Sequence, residues 1–295
     1  MPTRALPTIG FVGAGKVGST LARLLVGAGY RVGAVTSRTR AHAEQLAGQV
    51  GARAVGDLAA VVANADLILV TAPDDVLASI VLGLSGLSLQ GKAVVHTSGA
   101  LDAEVLAPLA KQGARVGSLH PAYPFADVET AMAGLAGATF AVEAADAGLR
   151  AWLEALVSAL GGRVLILPSG RKPLYHAALA LASNYTVTLY ALAQALLVSV
   201  GAERATADAA LNGLLAGTLD NLRAKGVPAA LTGPLTRGDV GTIVAHLDAL
   251  GGVDERIAAL YLRLAVLSLP MVEARGVDTV LLQKLLDEFK AQSEK

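Results

Sequence analysis

The feature that most constrains the fold is the glycine-rich segment GAGKVG, residues 13–18. It directly follows an apolar run, Thr8–Val12, and opens an amphipathic stretch, Lys16–Ala28. Glycines spaced as G-x-G-x-x-G between a strand and a helix allow a tight turn, close approach of a ligand and close packing of the helix on the strand. The N-terminus of that helix offers N–H groups and positive dipole to an anion. The sequence therefore predicts a pyrophosphate site formed by Gly13, Ala14, Gly15, Lys16, Val17 and Gly18.

Short apolar runs alternate with helical stretches up to about residue 167. An uninterrupted apolar run such as Asp66–Ala72 is typical of a strand buried on both faces of a parallel sheet. From Arg171 onward every periodic segment is helical, at 171–200, 203–225, 239–250, 255–275 and 278–292. The pattern predicts an α/β dinucleotide-binding domain with a doubly wound, mostly parallel sheet at 1–168, and an all-α domain at 169–295 entered by a long helix. The predicted strands are Thr8–Val12, Arg31–Thr36, Arg53–Val55, Asp66–Ala72, Ala93–Thr97, Arg115–Leu119, Thr139–Val142 and Arg163–Leu167.

The residues after the second strand bear on the choice of dinucleotide. An acidic side chain there would bind the 2′-hydroxyl of NAD, but the sequence reads Ser37-Arg38-Thr39-Arg40. A guanidinium binds a 2′-phosphate well, so we expect NADP(H) contacts at Ser37, Arg38 and Thr39. The alternative is a solvated basic loop. Ala72 and Pro73 follow the fourth strand, and we expect them beside the nicotinamide ribose.

Composition excludes several classes of function. The 295 residues carry 24 basic and 24 acidic side chains, so net charge favours neither nucleic acid nor an anionic membrane as a partner. The sequence has no cysteine, and its five histidines lack H-x-x-x-H spacing, so we expect no metal site. The N-terminus lacks the apolar core of a signal peptide, which predicts a cytoplasmic protein.

Residues 174–200 contain no Lys, Arg, Asp or Glu and are long enough to cross a bilayer. Because polar side chains interrupt the run, a helix of a soluble protein, buried on most sides, is the preferred interpretation. At 100° per residue, one stripe of that helix collects polar groups that either form a buried hydrogen-bonded seam or face a substrate. The stripe consists of Lys172, His176, Ser183, Tyr190 and Gln194, with Asn184 at its edge.

The functional interpretation of the stripe rests on reductase chemistry. Hydride delivered to a C=O or C=N group leaves a negative charge or a nitrogen that needs a proton, and a cationic or hydrogen-bonding donor lowers that barrier. Lys172 and His176, at i and i+4, can present two donors to one atom. The predicted catalytic residues are Lys172, His176 and Asn184. Substrate contacts are expected at Ser98, Gly99, His120 and Ser183, although a Ser-Gly turn and a structural histidine are equally compatible with the sequence.

With these motifs the chain resembles the 6-phosphogluconate dehydrogenase-like superfamily of NADP oxidoreductases. Several members carry a Lys followed four residues later by Asn, and here Lys172 is followed by His176. The segments LHPAYPF (119–125), YHAALALASNY (175–185) and GPLTRGD (233–239) are most similar to bacterial Rossmann-like proteins with a C-terminal helical domain of unknown function. The resemblance spans nearly the whole chain, and it implies a homodimer around the long helix.

The resemblance implies an NADPH-dependent oxidoreductase acting on a small carboxylated substrate, such as a 2-oxo acid of the ketopantoate type. A reductase of imines or pyrroline-5-carboxylate is the first alternative, and a prephenate dehydrogenase ranks third. A protein that binds NADP as a sensor without turnover is an alternative of another class. Arg237 is expected either to bind a substrate carboxylate, in its own or a partner's site, or to pair with Asp239.

Overall fold

A computed structural model describes residues 6–293, with side chains described for residues 6–289; the first five residues, part of the stretch in which no signal peptide is expected, lie outside them. The first half of the chain forms one sheet of eight strands in the order β3-β2-β1-β4-β5-β6-β7-β8. The strands are β1 (Ile9–Val12), β2 (Val32–Thr36), β3 (Arg53–Ala54), β4 (Leu67–Val70), β5 (Ala93–His96), β6 (Arg115–Pro121), β7 (Thr139–Ala144) and β8 (Arg163–Ile166). Each predicted strand is present, and no strand end differs from its predicted position by more than two residues.

The sheet is mostly parallel, as predicted. Neighbouring strands from β3 to β6 run parallel, whereas β7 runs antiparallel to β6, with Leu119 opposite Val142, and β8 runs parallel to β7. The reversal at β7 follows a short connection through a helix that the sequence does not predict. That helix, Val128–Gly134, begins where the Asp127 carboxylate accepts a hydrogen bond from the Thr130 N–H, 2.8 Å away.

Helices cover both faces of this sheet, which makes the fold doubly wound. They are α1 (Lys16–Gly27), α2 (Arg40–Val50), α3 (Leu58–Ala63), α4 (Asp74–Leu84), α5 (Ala107–Ala110), α6 (Val128–Gly134) and α7 (Ala147–Ala159). Leu21, Leu46 and Leu156 belong to a buried cluster on one face, and Val61 and Leu77 to a second cluster on the other. Every residue of β1, β4 and β5 is buried, because both faces of these central strands are covered.

The rest of the described chain is helical. The helices are α8 (Lys172–Ala182), α9 (Asn184–Ser199), α10 (Arg204–Lys225), α11 (Val240–Gly251), α12 (Glu255–Glu273) and α13 (Val280–Ser293). The predicted long helix at 171–200 is therefore two helices, since Ser183 interrupts it with φ −115° and ψ −71°. A core that includes Ile243, Leu262 and Leu282 joins α11, α12 and α13.

The expectation that the long apolar helix is buried on most sides is wrong, because α8 and α9 are mostly exposed. Lys172 is the only buried residue of α8, and α9 has none among the residues that the structure describes. Leu181 and Val187 are 65% and 70% exposed. The stretch Lys172–Ser199 is long and apolar enough to span a membrane by length and composition. Within residues 6–289 these side chains remain exposed, so α8 and α9 are not packed as core helices in the described part of the chain.

The chain divides into two compact units, residues 1–185 and 186–295. The predicted domain boundary, between residues 168 and 169, lies where the sheet ends and the helices begin. The compact units divide later, after Tyr185, so α8 belongs to the same unit as the sheet. The hydrogen bonds of Lys172 and Tyr175, described below, account for this placement.

Candidate active site

The loop between β1 and α1 has the conformation that the glycine pattern predicts. Gly13 has φ +114°, and a Cβ atom there would lie 2.8 Å from the carbonyl carbon of Thr71. The Thr71 hydroxyl donates a hydrogen bond to the Gly13 carbonyl oxygen over 2.8 Å, and a Cβ at Gly18 would lie 2.4 Å from that hydroxyl. Gly13 and Gly18 are therefore required by close packing of the loop against the end of β4.

Gly15 meets a different requirement. The space around its missing Cβ is open, and α1 begins at Gly15 with neither a side-chain cap nor an acidic residue in its first turn. The N–H groups at the start of α1 are therefore available to a bound anion, with no carboxylate of the helix competing for them. This cradle suits a pyrophosphate.

The start of α2 has a similar electrostatic character. Arg38 and Arg40 are exposed, and Arg40 forms an ion pair with Glu44 over 2.7 Å. Within residues 6–289, no carboxylate forms an ion pair with Arg38. Thr39 precedes α2 without capping it, and the first turn has no acidic residue. Arg38 is therefore the guanidinium at this position that is available for a phosphate.

A cleft of about 370 Å³ extends from the phosphate loop along the ends of β4 and β5. It brings together several residues that the sequence singles out for different roles. The cleft is lined by Gly15, Lys16, Val17, Thr71, Ala72, Pro73, Asp74, Thr97, Ser98, Gly99 and Phe125. Predicted cofactor contacts and the predicted substrate contacts Ser98 and Gly99 thus line one continuous space.

The turn after β5 is held by internal hydrogen bonds. The Ser98 N–H donates to His96 Nδ1 over 3.2 Å, so Nε2 carries the proton of the neutral ring and faces the Asp102 carbonyl oxygen at 3.3 Å. Burial, with the nearby Lys172 ammonium, lowers the pKa of His96 to about 4 and keeps it neutral. The Ser98 hydroxyl oxygen accepts from the N–H groups of Ala100 and Leu101, at 3.1 and 3.0 Å, and retains its own hydrogen for donation.

Lys172, at the start of α8, is completely buried. Its Nζ donates to the Ser98 carbonyl oxygen over 2.5 Å, which places the ammonium directly behind the cleft wall. Burial lowers the pKa of Lys172 to about 8, while the negative charges of Glu143, Asp102 and Asp74 act in the opposite direction. The lysine is thus mostly protonated at pH 7, although it has no contact with water.

Two more imidazoles lie behind Gly99. The His120 and His176 rings are 6.3 Å apart between centroids, and a Cβ atom at Gly99 would lie 2.7 Å from His120 Nε2 and 2.9 Å from His176 Cδ2. His120 Nδ1 is 2.9 Å from the Tyr175 hydroxyl oxygen. Burial chiefly, then the charge of Lys172, lowers the pKa of His120 to about 4, and burial raises the pKa of Tyr175 to about 12. His120 and Tyr175 are therefore both uncharged at neutral pH.

Two family matches and several solved structures correspond to this arrangement. Residues 3–121 match the Rossmann-like domain family, and residues 138–267 match DUF2520, a domain of unknown function. Among curated proteins, none matches the sequence. A Bacteroides fragilis protein, provisionally described as an NADP oxidoreductase, is 28% identical with a TM-score of 0.70, over 88% of this chain and 96% of the other.

Two more distant structures share the fold. An imine reductase from a Pseudomonas species has a TM-score of 0.65 at 20% identity, over 98% of this chain and 100% of the other. A pyrroline carboxylate reductase from Plasmodium falciparum with NADP bound has a TM-score of 0.60 at 13% identity, over 88% and 95%. The chain thus combines a Rossmann-like domain with a DUF2520 domain, and it shares its fold with NADP oxidoreductases. The resemblance predicted from the sequence is confirmed.

The polar stripe predicted for the long helix is not one line. The break at Ser183 separates Lys172 and His176 in α8 from Tyr190 and Gln194 in α9. The Tyr190 hydroxyl donates to Asp208 Oδ1 of α10 over 3.0 Å, and the Gln194 amide donates to the same oxygen. The second half of the stripe therefore forms a hydrogen-bonded seam between α9 and α10. The prediction of a single line is wrong because it assumed a straight helix.

The remaining predicted residues are exposed. Ser183 and Asn184 lie exposed at the junction of α8 and α9. Arg237 is exposed at the end of a short 3₁₀ helix in the second unit, and the expected ion pair with Asp239 is not among those of residues 6–289. Asp239 instead caps α11 by accepting from the Thr242 N–H over 3.1 Å. The roles predicted for Ser183, Asn184 and Arg237 remain predictions.

Sequence reasoning did not single out Tyr175, Asp102 or Glu143. Tyr175 lies within the quoted segment YHAALALASNY, three residues after Lys172, and that spacing was the available signal. Asp102 and Glu143 come from a loop and a strand far from Lys172 in sequence. No local pattern connects these carboxylates to the lysine.

Proposed function

We propose that this chain is an NADPH-dependent reductase of a small carboxylated substrate, a 2-oxo acid of the ketopantoate type. Its fold and domain content are those of NADP oxidoreductases. The observation that carries the proposal is the Lys172 ammonium, buried and bonded to the Ser98 carbonyl in the wall of the cleft that starts at the phosphate loop. A charge placed in this way serves a reaction that generates negative charge beside it.

The chain has the donors that NADP(H) requires. The open space at Gly15 and the uncapped start of α1 fit the pyrophosphate, and the exposed Arg38 guanidinium fits the 2′-phosphate. Ser37 and Thr39 flank that guanidinium. Ala72 and Pro73 line the continuation of the cleft, where the nicotinamide end would be held. The bound cofactor would supply the hydride, and the protein's part is to orient the substrate and stabilise charge.

The side chains around Gly99 are assigned to charge stabilisation and proton donation. The buried Lys172 ammonium stabilises the developing oxyanion, and its field is strong because water is excluded around it. His176 is exposed and lies beside Gly99, so it can donate the proton that the product needs. The hydrogen bond between Tyr175 and His120 fixes the ring of this neutral histidine, which lies beside Gly99. Asn184 remains the predicted group that orients the substrate.

Recognition of the substrate carboxylate is assigned to the turn after β5. The acceptor positions of the Ser98 hydroxyl are occupied by two backbone N–H groups, so its hydrogen is left to donate. Gly99 lines the same wall of the cleft, and its backbone N–H is assigned as the second donor. Together they offer two donors to a carboxylate without any side-chain cation.

Reduction of an imine or a cyclic pyrroline carboxylate is the second candidate. The fold shared with an imine reductase and a pyrroline carboxylate reductase favours it. The same donors would serve this reaction by delivering a proton to the substrate nitrogen. A third candidate, a sensor that binds NADP without turnover, has no use for a buried lysine at the wall of the cleft.

Oxidation of NADPH against a panel of 2-oxo acids and cyclic imines separates these candidates. We expect turnover with one class, and a loss of about 100-fold or more in kcat for Lys172→Ala and His176→Ala, with NADPH affinity unchanged. Lys225→Ala and His246→Ala, both at exposed positions, are matched controls. If both active-site variants keep near-wild-type kcat, the assignment is wrong. NADPH binding without turnover on any substrate would favour the sensor.

We also propose that the chain is a homodimer through its helices. The exposed apolar side chains of α8, α9 and α10 support this, since single chains rarely expose so many large apolar groups together. The four with the largest exposed fractions in these helices are Leu174, Leu181, Val187 and Leu214. A cytoplasmic location remains a prediction from the sequence.

A further inference from the structure

The turn between β5 and the next helix is tied to the segment that precedes α8. Asp102 ends this turn, and its Oδ1 accepts a hydrogen bond from the Gly170 N–H over 3.1 Å. Gly170 lies two residues before Lys172, whose Nζ donates to Ser98 at the other end of the turn. Two hydrogen bonds between groups 68 and 74 residues apart therefore fix the start of α8 against one short loop.

The Asp102 backbone contributes a third connection. Its carbonyl oxygen faces the protonated Nε2 of His96 at 3.3 Å, and His96 Nδ1 accepts from the Ser98 N–H. The turn is thus braced internally by a neutral imidazole and externally by the Asp102 carboxylate. Movement of Asp102 would shift both the carbonyl that Lys172 binds and the backbone that carries Lys172.

A second carboxylate supports the same turn from β7. Glu143 is buried, and its Oε2 accepts from the Ala103 N–H over 2.9 Å and from the Ser118 hydroxyl over 3.5 Å. Within residues 6–289 no cation forms an ion pair with Glu143. A buried carboxylate without a bonded cation is costly, so its charge is expected to have a use in the neighbourhood.

The charged group that benefits is Lys172. The carboxylates of Glu143, Asp102 and Asp74 all favour its ammonium form, and burial opposes it. The imidazoles of His96 and His120, on β5 and β6, are neutral and add no charge. Asp74 stands exposed at the start of α4, whereas Glu143 and Asp102 are at least partly buried, where charge interactions are screened less.

We propose that Asp102 and Glu143 are positioning residues: they bond the turn 97–103 to the start of α8 and to β7, and their charges keep Lys172 protonated behind Ser98. This inference rests on the proposed function in one respect, because it takes Lys172 to be the group that stabilises the reaction's charge. Neither carboxylate is required to touch the substrate.

Titration of Lys172 tests the effect of the two carboxylates directly and requires no substrate turnover. The Nζ resonance would be followed by NMR in protein labelled with ¹⁵N-lysine and assigned by its loss in Lys172→Met. Glu143→Gln and Asp102→Asn remove a charge and retain an oxygen that can accept the Ala103 or Gly170 N–H. We expect the midpoint of the Lys172 titration to move to lower pH in both variants. Asp75→Asn, at an exposed neighbour of Asp74, should leave it unchanged.

Asp102→Ala separates the hydrogen bond from the charge, because it removes both. We expect it to lower kcat more than Asp102→Asn at pH 6, where Lys172 stays protonated in either variant. Higher kcat in Asp102→Asn than in Asp102→Ala would indicate that the hydrogen bond to the Gly170 N–H contributes to activity. Unchanged Lys172 midpoints in Glu143→Gln and Asp102→Asn would overturn the inference, and Asp102→Asn alone decides if Glu143→Gln does not fold. Shifted midpoints in a protein that reduces no substrate would refute the proposed function and leave the positioning intact.

Discussion

The sheet unit and the helices α9 and α10 differ in which kinds of side chain they bury and which they expose. In the sheet unit, every residue of β1, β4 and β5 is buried, and so is the charged Lys172. In α9 no residue is buried, and Val187 and Val198 are exposed together with Leu214 of α10. One region buries a charge, and the other exposes apolar groups that would gain free energy from burial.

The contrast indicates where each region obtains its stability. The sheet unit completes the core around its central strands within one chain and can bear the penalty of an internal ammonium, which a purely structural design would avoid. The helices α9 and α10 keep apolar faces that the rest of residues 6–289 leaves exposed, and the proposed dimer would bury them. Substitutions in the two regions test this contrast, and their expected effects differ in size.

The largest effect is expected from charge on the exposed apolar helices. Leu181→Asp and Val187→Asp place carboxylates at positions that are 65% and 70% exposed in the single chain. If a second copy covers them, the carboxylates are desolvated at the interface and the dimer separates into monomers. Light scattering coupled to size-exclusion chromatography would measure the mass.

Leu82→Asp provides the matched control for that experiment. Leu82 is 75% exposed on α4 of the sheet unit, and the substitution should leave the mass unchanged. If the wild-type protein is monomeric at micromolar concentration, no second copy covers these helices, and the proposed interface is wrong.

The next effect concerns the free energy of unfolding of Lys172→Met. The pKa of Lys172 falls from 10.5 to about 8 on folding, a penalty of about 3 kcal/mol at pH 7. Loss of the bond to Ser98 returns about 1 kcal/mol of that. We expect the variant to be more stable by about 2 kcal/mol at pH 7, although it is inactive, as judged by denaturant unfolding at fixed protein concentration.

The pH dependence of this gain has a definite sign. Because the folded pKa lies below the unfolded one, the unfolded chain binds more protons between pH 8 and 10.5. The penalty is complete below pH 8 and disappears as the pH rises towards 10.5. The advantage of Lys172→Met should shrink over that interval. A variant less stable than wild type at pH 7 would show that Lys172 serves the structure.

The smallest effect is expected at the exposed surface of the sheet unit. Arg38→Ala should weaken NADPH binding about tenfold and leave NADH binding nearly unchanged, because only the 2′-phosphate distinguishes the two. Arg31→Ala, at an exposed position just before β2, is the control. Equal losses for both dinucleotides, or tighter binding of NADH by the wild type, would contradict the cofactor assignment.

Much of the first unit follows from local sequence. The glycines at 13, 15 and 18, the apolar runs and the periodic helices are short-range patterns, and the structure has the corresponding loop, strands and helices. Two elements escaped that reasoning. Helix α6 is seven residues long and too short to show a period, and the break at Ser183 has no Gly or Pro to mark it.

The sequence by itself determined the sheet, the phosphate loop, the order of the two kinds of architecture and the candidate residues Lys172, His176, Ser98 and His120. Tertiary structure alone decided which of these meet and in what charge state. Lys172 reaches Ser98 across 74 residues, and Asp102 reaches Gly170 across 68. Burial then sets the pKa of Lys172 near 8 and that of His120 near 4. Periodicity reports the faces of single elements, whereas desolvation and long-range hydrogen bonds depend on how those elements pack.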